Sequence, residues 1–247
     1  LAGFMDAGEP RTLALQAPAM PIVLPSYNGA RKLPNLTPLL ALLLAREGVP
    51  VLVHGFPEDP TRVTSAQVFT ALGLPAVASA AEATERWAAG QPVFMPLEVL
   101  HPSLAELLKL RAVLGLRNPG HTLAKLLPAV PGALRVVNHT HPEYALSLSE
   151  FLGLTGATAL LLRGTEGEPV ADARRRPAFN CFVRGRLDDE LSLEAQGGSL
   201  AELPALPAGF DAETTAHTVR AMLAGEQPVP TPIARQVRTL LALRESA

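Results

Sequence analysis

Apolar positions along the chain fall in short runs that change period from one stretch to the next. That change predicts alternating strands and helices. Pro21 to Leu24 is an apolar run bounded by prolines and reads as a buried strand. Thr37-Pro38 reads as a helix start, with threonine as N-cap, and the apolar run from Leu39 carries the helix to Glu47 before Gly48 ends it. Pro50 to His54 is the next strand. Thr64 is placed to cap a helix from Ser65 to Leu72, and Ala80 to Ala89 is a further short helix. Pro92 to Met95 reads as a strand. Ser103 is read as the cap of one long helix, Leu104 to Leu114, with apolar residues at 104, 107, 108, 110, 113 and 114. Ala133 to Val137 and Ala157 to Leu162 are strands on either side of a helix from Pro142 to Leu152.

This order predicts an α/β fold, a mostly parallel central sheet with helices on both faces. Phe179 to Val183 and Glu190 to Glu194 depart from it and read as an antiparallel appendage around the charged turn Arg184 to Asp189. Two helices, Ala212 to Leu223 and Ile233 to Leu243, complete the pattern. Residues 8–20 are rich in Pro, Ala and Gly and read as a linker, so one large domain is expected over 21–247.

Composition narrows the function classes. Apolar residues make up 48% of the 247, ample for a sizeable core, and the formal net charge is −2. That balance demands neither a nucleic-acid nor a membrane partner, although a local basic stripe can sit inside a neutral total. The single cysteine, Cys181, lies in an apolar strand and reads as a core residue. No apolar run is long enough to span a bilayer, and a cytoplasmic protein is expected.

The loop after the first strand carries the most chemistry. Ser26, Asn28, Asn35 and Thr37 supply small polar groups, and Gly29 permits close backbone approach. Arg31 and Lys32 supply positive charge, and the next helix begins a few residues later. At the carboxyl end of a strand this composition suits a phosphate or other anion. It also suits an ordinary turn before a capped helix.

The segments Pro25-Ser26-Tyr27-Asn28-Gly29, Asn35-Leu36-Thr37-Pro38 and Val53-His54-Gly55-Phe56 resemble the frame of anthranilate phosphoribosyltransferase. In that family the corresponding motifs are G-T-G-G-D, N-x-S-T and K-H-G-N. Residues 65–73 and 110–117 resemble two further family motifs, and the likeness runs over 21–247. Arg163-Gly164-Thr165-Glu166-Gly167-Glu168-Pro169, with the loop Pro25 to Lys32, resembles the YbiB group of this superfamily. The resemblance implies the phosphoribosyltransferase and pyrimidine nucleoside phosphorylase type of large domain. It also implies that residues 1–20 are the remnant and linker of an N-terminal helical domain otherwise missing, and that the chain forms a homodimer. A phosphate or substrate site is implied at Ser26, Asn28, Gly29, Asn35, Thr37, His54, Gly55 and Arg111.

Departures from the family frame are concentrated where its chemistry lies. Val53 replaces its lysine, Phe56 its asparagine, and Glu168-Pro169 stands where the family holds magnesium on adjacent Asp and Glu. No cofactor is expected unless transfer is retained, in which case it is magnesium. Beside an assembly protein with an empty pocket, two functional readings stay open. One is a nucleic-acid binder of the YbiB kind, insensitive to sequence, using Arg31, Lys32, Arg111, Arg117 and Lys125 with Arg174, Arg175 and Arg176 as a second patch. The other is a working phosphoribosyl or glycosyl transferase with an unidentified acceptor, in which a phosphorylated small molecule or anion fills the crevice. His139-Thr140-His141 has a spacing that could ligate a metal, but it reads better as a polar loop before a helix. His101-Pro102 reads as a turn at a helix start.

Overall fold

The computed structural model describes residues 15–116, 119–198 and 204–247. Among the described residues seven strands form one sheet in the order β3-β2-β1-β4-β5-β6-β7. They are β1 (Ile22–Ser26), β2 (Val51–Gly55), β3 (Val93–Pro96), β4 (Leu134–His139), β5 (Ala159–Arg163), β6 (Phe179–Val183) and β7 (Arg186–Leu193). The first five are parallel, and β6 and β7 continue the sheet antiparallel. The expected appendage is therefore an edge of the main sheet. Its turn is only Arg184-Gly185, both at positive φ, and the charged stretch assigned to a turn is the first half of β7.

Alternation along the parallel strands places side chains in two layers. Ile22, Leu24, Val51, Val53, Leu134, Val136, Leu160 and Leu162 share one core. Against it pack α1 (Thr37–Arg46), α2 (Ser65–Ala71), α9 (Ala212–Ala224) and α10 (Thr231–Glu245). On the other face Val23, Leu52, Val93 and Met95 meet Ala83 and Trp87 of α3 (Ala80–Ala88). Leu148 and Leu152 of α8 (Glu143–Thr155) cover Val137, Ala159 and Leu161. Cys181 is fully buried, and its thiol is pushed up to about 12 by that burial.

Two helix starts differ from the sequence reading. Thr37 is the first helical residue rather than the cap, and its N–H donates to Asn35 Oδ1 at 3.2 Å. The hydroxyl is thereby released for another use. The cap expected of Ser103 is supplied by His101, whose Nδ1 accepts from Leu104 N–H at 3.2 Å. The long helix expected there is three short ones: α4 (Leu97–Leu100), α5 (Pro102–Lys109) and α6 (Arg111–Leu114). The break at Leu110 turns Val113 and Leu114 out to solvent, 83% and 62% exposed. Thr64 does cap α2, in a reciprocal capping box with Gln67.

Strand order reverses between β1 and β4, which lie side by side in the sheet. In open α/β sheets a crevice forms at such a switch point, beyond the carboxyl ends of the strands. Ser26, Gly55, His139 and Arg163 are the last residues of β1, β2, β4 and β5, so all four reach this edge. The approach of β1 to β2 there depends on Gly55: a Cβ at that position would lie 1.7 Å from the Ser26 carbonyl oxygen. Gly55→Ala is expected to cost about 3 kcal/mol or more, since backbone rather than a flexible side chain must yield. A urea titration showing an unchanged midpoint would contradict this account of the strand ends.

Candidate active site and basic cleft

The loop after β1 is built around two carboxylates that come from the far side of the crevice. Glu168, 2% exposed, follows a tight turn at Thr165–Gly167 beyond β5. Its Oε1 accepts the backbone N–H groups of Asn28 at 2.7 Å and Gly29 at 2.8 Å. Its Oε2 accepts the hydroxyls of Ser26 and, at 3.4 Å, Thr37. A carboxylate has about four lone-pair sites, and here each is met by a donor. Ser26 has one proton, and it goes to Glu168. Ser65 must therefore donate to Ser26 Oγ, at 2.7 Å, while accepting from Asn35 Nδ2 at 3.0 Å. One chain of hydrogen bonds thus joins Asn35, Ser65, Ser26 and Glu168.

Glu166 serves the other half of the loop. Its Oε2 accepts the backbone N–H groups of Arg31, Lys32 and Leu33 at 2.9, 3.1 and 3.2 Å. Its own backbone sits at φ 52°, a left-handed conformation that costs a non-glycine residue on the order of 1 kcal/mol. Three charge-assisted bonds offset that cost. Between the two acids, Gly167 admits no side chain: a Cβ would lie 1.6 Å from Asn28 Nδ2. A run of convergent backbone N–H groups is an anion site by construction. In this chain the anions are its own side chains.

The residues under the loop close the crevice from below. Tyr27 meets His54, ring centroids 5.4 Å apart, and Phe56 at 5.5 Å; Phe56 also faces His121 at 6.4 Å. His54 is fully buried beneath the loop rather than in a crevice wall, with Nδ1 2.6 Å from the Tyr27 hydroxyl. Burial raises the Tyr27 phenol well above its usual value and lowers His54 to about 3. The pair is therefore a neutral phenol donating to a neutral imidazole. Arg111 is held by Asp59 at 3.4 Å, and Asp59 lies below its ordinary pKa through bonds from Thr61 and the charge of Arg111, against its desolvation. Arg117 lies outside the described residues.

Beyond β4 and β5 the same edge opens into a cleft of about 730 Å³. Arg163, Arg174, Arg175 and Arg176 line it, against the carboxylates of Glu166 and Asp172. Arg174 forms a two-pronged pair with Asp172, at 2.9 and 2.7 Å. Arg175 and Arg176 are steadied by the carbonyls of Gly198 and Glu194, and Arg176 lies over the Phe179 ring. Leu33 also lines the cleft, which places the exposed Arg31 and Lys32 of the same loop near its rim. A second cavity, of about 400 Å³, lies across His139, which lines both. Lys125 belongs there, donating to Asn138 Oδ1 and to the Gly167 carbonyl, each at 3.0 Å. Sequence reasoning brought together Ser26, Asn28, Gly29, Asn35 and Thr37, which the structure also gathers. It missed that Glu166 and Glu168 occupy their donors, and it missed Arg163 and Asn138. Two acids spaced by one glycine in a post-strand loop were the available signal.

No protein-family model matches the chain. It is 43% identical to YbiB of Escherichia coli (strain K12), over 99% of this chain and 77% of that protein. It is 30% identical to anthranilate phosphoribosyltransferase of Thermus thermophilus over 199 residues, 79% of this chain and 58% of the enzyme's length. Among solved structures, the enzyme from Thermus thermophilus superposes with a TM-score of 0.64 at 23% identity, over 94% of this chain and 74% of that one. The enzyme from Saccharomyces cerevisiae, in complex with PRPP and Mg, superposes with a TM-score of 0.68 at 15% identity, over 95% and 67%. These structural likenesses show the fold.

Three outcomes test the site. Replacing Glu168 by Gln leaves buried donors without acceptors and is expected to cost about 2–4 kcal/mol in urea unfolding. With Glu166 and Glu168 both replaced by Ala, added sulfate should raise the melting temperature more than it does for the parent chain. An equal response would mean that the loop does not bind anions. The third outcome concerns pH. Below pH 6.5 the unfolded chain takes up a proton at His54 that the folded chain refuses until about pH 3. Stability should fall as pH drops through that window, by up to about 1.4 kcal/mol per unit, and His54→Asn should flatten the slope.

Proposed function

The chain belongs to the YbiB group of the anthranilate phosphoribosyltransferase-like superfamily, and from that premise we propose that it binds nucleic-acid backbone and has given up phosphoribosyl transfer. The observation that carries the first half is the cleft of four arginines at the carboxyl edge of β4 and β5. Arginine keeps its charge at any ordinary pH and offers a planar fork of donors suited to phosphate oxygens. The carbonyls and Asp172 that steady three of these side chains engage only some of those donors. The cleft is open and more basic than acidic, which suits a phosphodiester chain. Contacts of this kind read no sequence.

The second half rests on the filled loop. A phosphate bound in this loop would be met by the N–H groups of Asn28, Gly29, Arg31 and Lys32, and these are bonded to Glu168 and Glu166. Magnesium does not fit the residues present. The four acceptor sites of Glu168 are taken, and the neighbouring position is Pro169, which has no carboxylate. Among the described residues no three His, Cys, Asp or Glu side chains are grouped to hold a metal. Phe56 stands where the family frame has asparagine and Tyr27 where it has glycine, and their rings pack edge to face.

Calorimetry of the chain with phosphoribosyl pyrophosphate and magnesium should show no binding. Labelled single-stranded oligonucleotides should bind with an affinity that falls steeply with salt. Four neutralised phosphates correspond to a log–log slope of about −3 on a single strand. Arg163→Ala combined with Arg175→Ala should weaken binding roughly tenfold at about 0.1 M salt and flatten that slope. Saturable pyrophosphate binding together with a flat salt dependence would reverse the assignment in favour of a transferase.

A further inference from the structure

We propose that the 400 Å³ cavity beside the arginine cleft takes one unstacked keto nucleobase, guanine, thymine or uracil, from a single strand whose backbone lies in the cleft. This rests on the nucleic-acid reading above and adds to it a binding pocket and a base class.

The cavity lies between α7 (Gly120–Lys125), the end of β4 and the start of α8. Its wall contains Lys125, Asn138, His139, His141 and Tyr144 and no carboxylate. Asn138 is 4% exposed, and its Nδ2 meets no acceptor among the described residues. An amide could in principle be turned over, but here it cannot: Oδ1 accepts from the Lys125 ammonium at 3.0 Å, and the flipped amide would set donor against donor. A buried donor beside a cation therefore faces a cavity that supplies it with nothing. An uncompensated buried donor is costly, so a ligand that presents an acceptor here is favoured.

A carbonyl oxygen on a planar ring meets this requirement best. Guanine offers adjacent O6 and N7, and thymine and uracil offer O4. Adenine and cytosine carry an amino group at the equivalent edge, and it would oppose both Asn138 Nδ2 and Lys125. A platform for the ring stands at the same wall. Tyr144 is 53% exposed and is braced edge-on by His141 at 6.2 Å. Stacking on such a ring is available to any base, whereas the amide edge selects among them. His139 lines both cavities, so a strand in the cleft needs no long detour to turn one base inward.

The sharpest comparison uses dU12 and dC12, whose bases differ in having O4 or an amino group at one position. Both would be titrated against the full chain by fluorescence anisotropy at one ionic strength. dU12 is expected to bind at least about fivefold tighter than dC12. Asn138→Leu should bring dU12 to the level of dC12 without changing the salt slope. Because Asn138 is buried, Tyr144→Ala at the surface is a second variant, expected to weaken both oligonucleotides about fivefold. Equal binding of dU12 and dC12 by the parent chain, with no effect of Tyr144→Ala, overturns the base pocket and leaves the backbone cleft standing. Competition by inorganic phosphate at low millimolar concentration, abolished by Asn138→Leu, would also overturn it, since the cavity then takes an anion rather than a base. Failure of both oligonucleotides to bind at any salt would sink the cleft itself.

Discussion

Everything at the carboxyl edge of the sheet is arranged around the carboxylate of Glu168. It gathers donors from the loop after β1 and from the first residue of α1, and through Ser26 it reaches Ser65 at the start of α2. Elements distant in sequence are thereby fixed by one side chain. A buried charge is costly unless it is fully bonded, and this one is bonded at every acceptor site. The requirement works in both directions. Without the carboxylate, the loop's N–H groups would be an unfilled anion site; without the loop, the charge could not be buried. Gly167 and Gly55 are consequences of the same closeness, since a side chain at either would strike Asn28 or the Ser26 carbonyl.

An internal anion changes what the edge of the sheet can do. At β1 and β2 the crevice is closed, by Glu168 and Glu166 above and by Tyr27, His54 and Phe56 below. At β4 and β5 it remains open, and there the arginines stand. The two halves are coupled, because Glu166 holds the backbone of Arg31 and Lys32 and also forms part of the cleft wall. The fold's switch point is retained, and the open basic cleft lies beside it.

Much of this architecture was legible along the chain. A proline-bounded apolar run marked β1, the run Pro50 to His54 marked β2, and Thr64 was legible as the cap of α2. The loop at Ser26 to Lys32 was legible as a site because its residue types are right for an anion at a strand end. What occupies it was not legible, since the occupants lie about 140 residues away in sequence and only the folded sheet brings them in. The caps at Thr37 and Ser103 misled for a related reason. A threonine or serine at a helix start is a good local cap, but the Thr37 hydroxyl is drawn to Glu168 and His101 caps α5 instead. The length of β7 was misjudged because Arg186 to Glu190 is charged, which suits a turn, yet it lies on an exposed edge strand where charge is tolerated.

The formal charge of −2 is a poor guide to the field this chain presents. Glu168 is buried and shared among four donors, and Glu166 is drawn to three backbone N–H groups. Asp59 is engaged with Arg111, and Asp172 with Arg174. A carboxylate bonded to neutral N–H groups keeps its charge, and Glu166 still acts on Arg174 from the cleft wall. Arg163, by contrast, is exposed at the end of β5, and Arg31 and Lys32 are exposed on the rim. Repulsion of an anionic chain by the acids and attraction by the bases therefore do not act at equal distance. At ionic strengths where charges beyond about 10 Å are screened, the near charges decide, and at this edge they are four arginines against Glu166 and Asp172. Total charge and partner class are thus linked only through where the fold places its charges, and here Glu168 is taken inside while the arginines stand at the cleft.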